Sequence, residues 1–221
     1  HRGKGEVGVH GAVGSSGGGD RVVETVATGD GLGGGRAVLG IGDGWLERGD
    51  VGLGVPWPLI AERFERLEEA VQIGAQMWDP DNNGAFVGKH YHLQETLCNP
   101  QPISRPKVLI GGGGERKTLR PVAQYGDACN LCGTAPDELA HNLRVLRGHC
   151  DAVTRDYDTI RKTIMINDLS PGPETRDDFV RIMGEYAKLG IDDVIVFPPT
   201  GSPAKWINSI APAVKQLAEI G

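Results

Sequence analysis

A short apolar strand that breaks into four consecutive glycines restricts this chain more than any other feature. It runs Pro106-Lys107-Val108-Leu109-Ile110-Gly111-Gly112-Gly113-Gly114-Glu115-Arg116, with a helix-compatible segment beginning near Thr118. Glycines at a strand-to-helix turn let the backbone approach a ligand closely, and the free N–H groups of a helix start suit a phosphate. The same grammar occurs earlier, where Arg36-Ala37-Val38-Leu39-Gly40-Ile41-Gly42-Asp43-Gly44-Trp45 is again a strand breaking into glycines. Two such turns in a chain that alternates strand and helix predict a parallel barrel or sheet that carries a cofactor.

The alternation is regular from Arg36 onward. Ala37–Ile41 reads as a buried strand. Ala61–Trp78 reads as an amphipathic helix with Phe64, Leu67, Val71 and Trp78 on one stripe. Ala85–Leu93 alternates around Gly88 as a small hairpin. A proline-rich link leads to the strand Val108–Ile110, then the helix Thr118–Tyr125 and the strand Ala128–Leu131. The helix Pro136–Arg155 has Thr134 as its expected cap and Asp137-Glu138 in its first turn, where negative charge suits the dipole. Thr159–Ile166 reads as a strand and Thr175–Leu189 as a helix stopped by Gly190. Asp193–Phe197 reads as a strand stopped by Pro198-Pro199, and Ala204–Ile220 as a closing helix. That makes five strands, with a sixth at Glu6–Val13 and its helix at Arg21–Ala27. Apolar strands joined this way belong to a parallel sheet buried on both faces.

Composition narrows the function classes. The 221 residues carry a formal charge of −6, which supplies no basic field for nucleic acid. No apolar run reaches the roughly 18 residues that cross a bilayer. Cysteines 98, 129, 132 and 150 show no framework spacing, so a reducing cytoplasm is the simpler expectation. Sixteen of the 34 glycines fall within the first 44 residues. Residues 1–35 are therefore expected to form a glycine-rich, poorly ordered front, and residues 36–221 the main domain.

With these motifs in view, the chain resembles the luciferase-like monooxygenases, especially their deazaflavin-dependent branch. The resemblance rests on Leu39-Gly40-Ile41-Gly42-Asp43-Gly44-Trp45-Leu46-Glu47 and on Arg63-Phe64-Glu65-Arg66-Leu67-Glu68-Glu69-Ala70. It continues through Phe86-Val87-Gly88-Lys89-His90-Tyr91, Pro100-Gln101-Pro102, Ile110 to Gly114, Gly126-Asp127-Ala128-Cys129-Asn130 and Leu189 to Val196, in order. It implies a (β/α)8 TIM barrel, an oxidoreductase activity on a small-molecule substrate, and coenzyme F420 as cofactor, with FMN as the alternative. On that alignment the chain starts just before the third strand, so an incomplete barrel of about six of eight strands is expected. Gly29-Asp30-Gly31-Leu32-Gly33-Gly34-Gly35 departs from the family pattern, with glycine at apolar and serine positions.

Each candidate site residue has a second reading. Gly111, Gly112, Gly113 and Gly114 would take the cofactor phosphate, with Arg116 and Lys117 in charge-assisted contact, or they simply fit a tight corner. A nucleotide P-loop is rejected, because Arg116 stands where that loop needs the glycine before its lysine. Gly42, Asp43, Gly44 and Trp45 would wall the cofactor ring at the carboxyl end of their strand, or Trp45 plugs the barrel rim. As a dinucleotide fingerprint this loop fails, since Trp45 replaces the third glycine. Asn130 would hydrogen-bond the cofactor or cap a turn.

Glu47 and Arg48 read as solvated loop charges, with a general acid or substrate anchor as the alternative. Cys129 and Cys132 form a C-x-x-C with no second pair, and zinc or redox work is the lesser reading. His90 and His92 share one strand face but lack a third ligand, so exposed hairpin histidines are expected and no metal is assigned. His141 and His149 fall on a polar helix and are expected to face solvent. No catalytic acid or base can be named. A non-catalytic barrel fragment with a binding or structural role remains the alternative. Its open sheet edges would favour aggregation or self-association. For the enzyme reading, a homodimer is the expected assembly.

Overall fold

The computed structural model describes residues 6–12, 19–44, 47–131, 135–166, 175–197 and 203–217. The chain divides into two compact units, residues 1–112 with 124–127, and 113–123 with 128–221. The described residues before Arg36 fall in the first unit together with β2, the strand that follows them.

In the first unit, β1 (Val7–Ala12), β2 (Ala37–Gly42) and β5 (Lys107–Gly111) pair in parallel, with β2 central. Between them run α1 (Gly19–Gly33), the short α2 (Glu47–Gly52), α3 (Ile60–Met77) and an antiparallel pair, β3 (Phe86–Val87) with β4 (His92–Leu93). Residues 37–41 of β2 are all buried, as a central parallel strand covered on both faces requires.

Helix α1 is longer than the glycine content suggests. The expected helix Arg21–Ala27 extends to Gly33 because Val23, Val26, Ala27 and Asp30 bury one face at helical spacing. Burying such an apolar side chain contributes roughly 1.5–3 kcal/mol, which outweighs a glycine penalty of about 1 kcal/mol. Two glycines let α1 approach α3 closely. A Cβ on Gly74 would lie 3.3 Å from Val23 Cγ2, and one on Gly19 would lie 3.1 Å from Ala70 Cβ. The Trp78 indole N–H then donates to the Val23 carbonyl at 3.3 Å.

Asp30 closes this arrangement. It is fully buried, accepting the Ala37 N–H on Oδ1 and the Ser104 N–H on Oδ2, both at 3.0 Å. One carboxylate thereby joins the end of α1, the start of β2 and the link leading to β5. Asp127 has a related role: its Oδ2 accepts the Val108 N–H at 2.8 Å, and its own N–H donates to the Val108 carbonyl.

The second unit pairs β6 (Ala128–Leu131), β7 (Arg161–Ile166) and β8 (Asp193–Val196) in parallel, with β7 central. Six parallel strands thus occur among the described residues, three in each unit. Helix α4 (Leu119–Tyr125) straddles the division, and α5 (Pro136–Ala152), α6 (Arg176–Leu189), α7 (Pro203–Ile210) and α8 (Ala213–Leu217) complete the chain. Asp192 repeats the device of Asp127, accepting the Lys162 N–H at 2.7 Å and donating to the Lys162 carbonyl.

Helix α6 begins and ends as expected. Thr175 Oγ1 accepts the Asp178 N–H, and Gly190 adopts φ 86° as the C-cap. Three elements differ from expectation. Ala135, not Thr134, is the N-cap of α5 and makes no side-chain cap bond; Thr134 lies outside the described residues. The closing helix is two, because Pro212 lacks an N–H and its ring blocks continuation between α7 and α8. Glu47 and Arg48, read as loop charges, open the short helix Glu47–Gly52. The front strand's last predicted residue, Val13, and the stretches Gly14–Gly18, Pro198-Pro199 and 218–221 lie outside the described residues. Among those described, no helix is long and apolar enough to cross a membrane.

Two stability predictions follow from these contacts. Asp30→Ala strands the buried Ala37 N–H and frees the Ser104 N–H of an exposed residue, and should lower unfolding free energy by about 1–3 kcal/mol in urea titrations. Gly148→Ala adds a Cβ to α5 that meets nothing within 4 Å, and should raise it by about 0.5–1 kcal/mol.

Candidate functional site

The first unit sets its two glycine corners side by side. In the parallel ladder Ile41 pairs with Ile110, so Gly42 and Gly111 leave the same, carboxyl end of adjacent strands. A Cβ on Gly42 would sit 3.6 Å from the Gly111 carbonyl oxygen, and one on Gly111 would sit 3.8 Å from that of Ile41. Gly44 at φ 85° and Gly112 at φ 134° adopt backbone conformations that side-chain-bearing residues rarely reach. The corners therefore present bare backbone at the end of a parallel sheet, the face on which barrel enzymes bind their ligands.

Arg63 holds the first corner. Its Nη1 donates to the carbonyls of Asp43 at 3.1 Å and Gly44 at 3.0 Å. Its guanidinium stacks on Trp57, with Cζ 4.2 Å from the ring centroid. The expected apolar stripe of α3 misses this residue. The buried face is Arg63, Leu67, Ala70, Val71, Ile73, Gly74 and Met77, and Phe64 is only half-buried. The signal was present in the spacing: position 63 lies four before Leu67 and seven before Ala70, squarely on the core face.

Trp45 lies outside the described residues. Glu47 and Arg48 open α2 and are exposed. In the second unit, Gly113 is half-buried and Gly114 and Arg116 are exposed. The Gly114 carbonyl accepts from the N–H groups of Thr118 and Leu119 at 2.9 and 3.0 Å. A turn over residues 115–118 therefore intervenes before α4, where the sequence suggested that the helix starts at Thr118.

Asn130 sits half-buried in β6, opposite Thr163 in the register. The single hydroxyl proton of Thr163 is shared between the Cys129 carbonyl at 2.9 Å and Asn130 Oδ1 at 3.2 Å. Asn130 thus has a partner on the neighbouring strand, which neither sequence reading foresaw.

The remaining polar candidates have structural partners. Cys129 is fully buried, and burial pushes its thiol up to about 11, so it is not a reactive thiolate; Cys132 lies outside the described residues. His90 is in the turn before β4 and is not exposed as expected: its Nε2 lies 2.7 Å from Glu65 Oε2, with the side chain 11% exposed. The Lys89 ammonium and then His90 hydrogen-bond Glu65 and hold its carboxyl below its ordinary range. The Glu69 carboxylate accepts the N–H groups of Lys89, His90 and Tyr91 and so ties the hairpin to α3. His141 and His149 are turned toward Glu115: His141 Nε2 lies 2.8 Å from Oε1, and His149 Nε2 lies 2.8 Å from the carbonyl oxygen. Among the described residues, no three His, Cys, Asp or Glu side chains converge as a metal site would require.

Comparison with known proteins places this geometry. The family model for luciferase-like monooxygenase matches residues 21–168. An F420-dependent glucose-6-phosphate dehydrogenase of Kineococcus radiotolerans is 33% identical over 135 residues, 60% of this chain and 39% of that protein. An FMNH2-dependent dimethylsulfone monooxygenase of Pseudomonas putida is 32% identical over 98 residues, 44% of this chain and 27% of that protein. The chain therefore spans between about a quarter and two fifths of the curated relatives it matches. An F420-dependent secondary alcohol dehydrogenase, solved with an F420-acetone adduct, superposes with a TM-score of 0.74 at 15% identity. That match covers 89% of this chain and 75% of that one, and shows a shared fold. With the match extending over well more than half of its residues, and with the parallel α/β architecture of the luciferase-like barrels, the chain belongs to the luciferase-like monooxygenase family.

Proposed function

We propose that this chain acts as a deazaflavin- or flavin-dependent oxidoreductase. It would transfer hydride between reduced F420 and a small organic substrate, with FMN and oxygen as the alternative pairing. The observation that carries the reading is the parallel register that brings Gly42 and Gly111 together at the carboxyl end of β2 and β5. F420 is preferred because the F420-dependent relative aligns over 60% of the chain, against 44% for the FMNH2-dependent one.

The residues present suit such a cofactor. A planar ring needs a wall without protruding side chains. Gly42, Gly44, Gly111 and Gly112 provide backbone there, in conformations that only glycine adopts readily at 44 and 112. Asp43 lies between two of them, half-buried. By their sequence pattern, Gly113, Gly114 and the exposed Arg116 are proposed for the cofactor phosphate, with the guanidinium in a charge-assisted bond. The coenzyme supplies the hydride chemistry when bound, and the protein's part is to bind, orient and shield it. No acid or base is assigned. The buried, unpaired cysteines 98, 129 and 150 fit a reducing cytoplasm. A homodimer is part of the same proposal.

Separate titrations with F420 and FMN, followed by fluorescence, test the reading. Saturable one-to-one binding, tighter for F420, is the expected result. Failure of both to bind at high micromolar concentration would instead favour a non-catalytic binding or structural element. Gly112→Ala should weaken F420 binding by about tenfold or more, because alanine at that φ forces the corner to move.

A further inference from the structure

Arg63 is not placed as a helix arginine ordinarily is. The side chains of Arg66 and Glu62 pair across one helical turn, whereas Arg63 is 9% exposed and faces the core. Its partners are two carbonyl oxygens and the face of Trp57, and no carboxylate pairs with it among the described residues. Its Nε is buried and has no hydrogen-bond partner among the described residues. A buried guanidinium is costly unless its charge is met, and neutral carbonyls and an aromatic ring meet it only in part.

What the placement achieves is control of one loop. Gly44 at φ 85° lets two successive carbonyls converge on a single nitrogen of Arg63. A trans peptide points its N–H opposite its C=O, so fixing the Asp43 carbonyl on Arg63 turns the Gly44 N–H away from α3. The Trp57 ring lies against the guanidinium, with Cζ 4.2 Å from its centroid, and restrains the donor.

We infer that Arg63 is a positioning residue: its buried guanidinium sets the backbone orientation of the Asp43–Gly44 corner, and through it the surface offered to the cofactor ring. The loop-setting role stands on the geometry alone, and the identity of the ligand rests on the function proposed above. Lysine at this position would offer a point charge that can reach the carbonyls but cannot stack flat on Trp57. Methionine would fill similar space with neither charge nor donor.

The test compares the wild-type protein with R63M and R63K by hydrogen–deuterium exchange and by F420 titration. In R63M, a peptide spanning residues 40–50 should exchange about tenfold faster while one from β2 stays unchanged. F420 affinity should fall by about tenfold, and R63K should recover part of both losses. A folded R63M with wild-type loop exchange would overturn the inference, and so would faster exchange with unaltered F420 affinity. If the wild-type chain binds neither F420 nor FMN, the functional reading fails, while the exchange comparison still decides the role of Arg63. If R63M does not fold, Trp57→Leu removes the stacking face and keeps the charge. Faster exchange at the same peptide supports the inference, and wild-type exchange there refutes it.

Discussion

Carboxylates at the amino ends of the strands fix the register on which everything at the opposite end depends. Asp30 takes the first N–H of β2, Asp127 that of Val108 in β5, and Asp192 that of Lys162 in β7. Parallel strands have no hairpin turn to pin their alignment, and a slip of one residue would send every side chain to the wrong face. A charged acceptor on a strand's first N–H groups makes such a slip costly, because a buried donor would be left unmet. With the starts pinned, the strands finish level, and that is why Gly42 comes to lie beside Gly111.

Most of the architecture was legible from hydrophobic period. The strands at 37–41, 108–110, 128–131, 161–166 and 193–196, and the helices at 61–77, 136–152 and 176–189, all carry strong patterns. What escaped was set by contacts distant in sequence. Helix α1 looked too rich in glycine to persist, but its buried face outweighs the glycines of its second half, and its close approach to α3 needs Gly19 and Gly74 to be bare. Asp30 appeared as one polar residue in a glycine run. Its role became visible only once Ala37 and Ser104 were brought to either side of it.

The candidate site was legible to a lesser degree. Both glycine corners could be read from sequence, because strand-then-glycine is a local signature. Arg63 could not be singled out that way, since an arginine between Glu62 and Phe64 reads as a solvated face unless its phase against Leu67 and Ala70 is tracked. Asn130 was noticed for its place at a strand end, but its bond partner lies across a parallel pairing that no local pattern encodes.

The two ends of the first unit divide the physical burden. At the amino ends, carboxylates meet backbone donors and the chain gains stability and alignment. At the carboxyl ends, glycine removes the side chains that would fill the space, and with them the packing that would hold a loop still. A bare loop needs some other restraint, and a rigid fork of donors reaching in from a neighbouring helix is well suited to it, since backbone carbonyls are what glycine still offers. The cation that is unusual for its burial is therefore explained by the loop that is unusual for its lack of side chains. Neither feature would be stable or useful without the other.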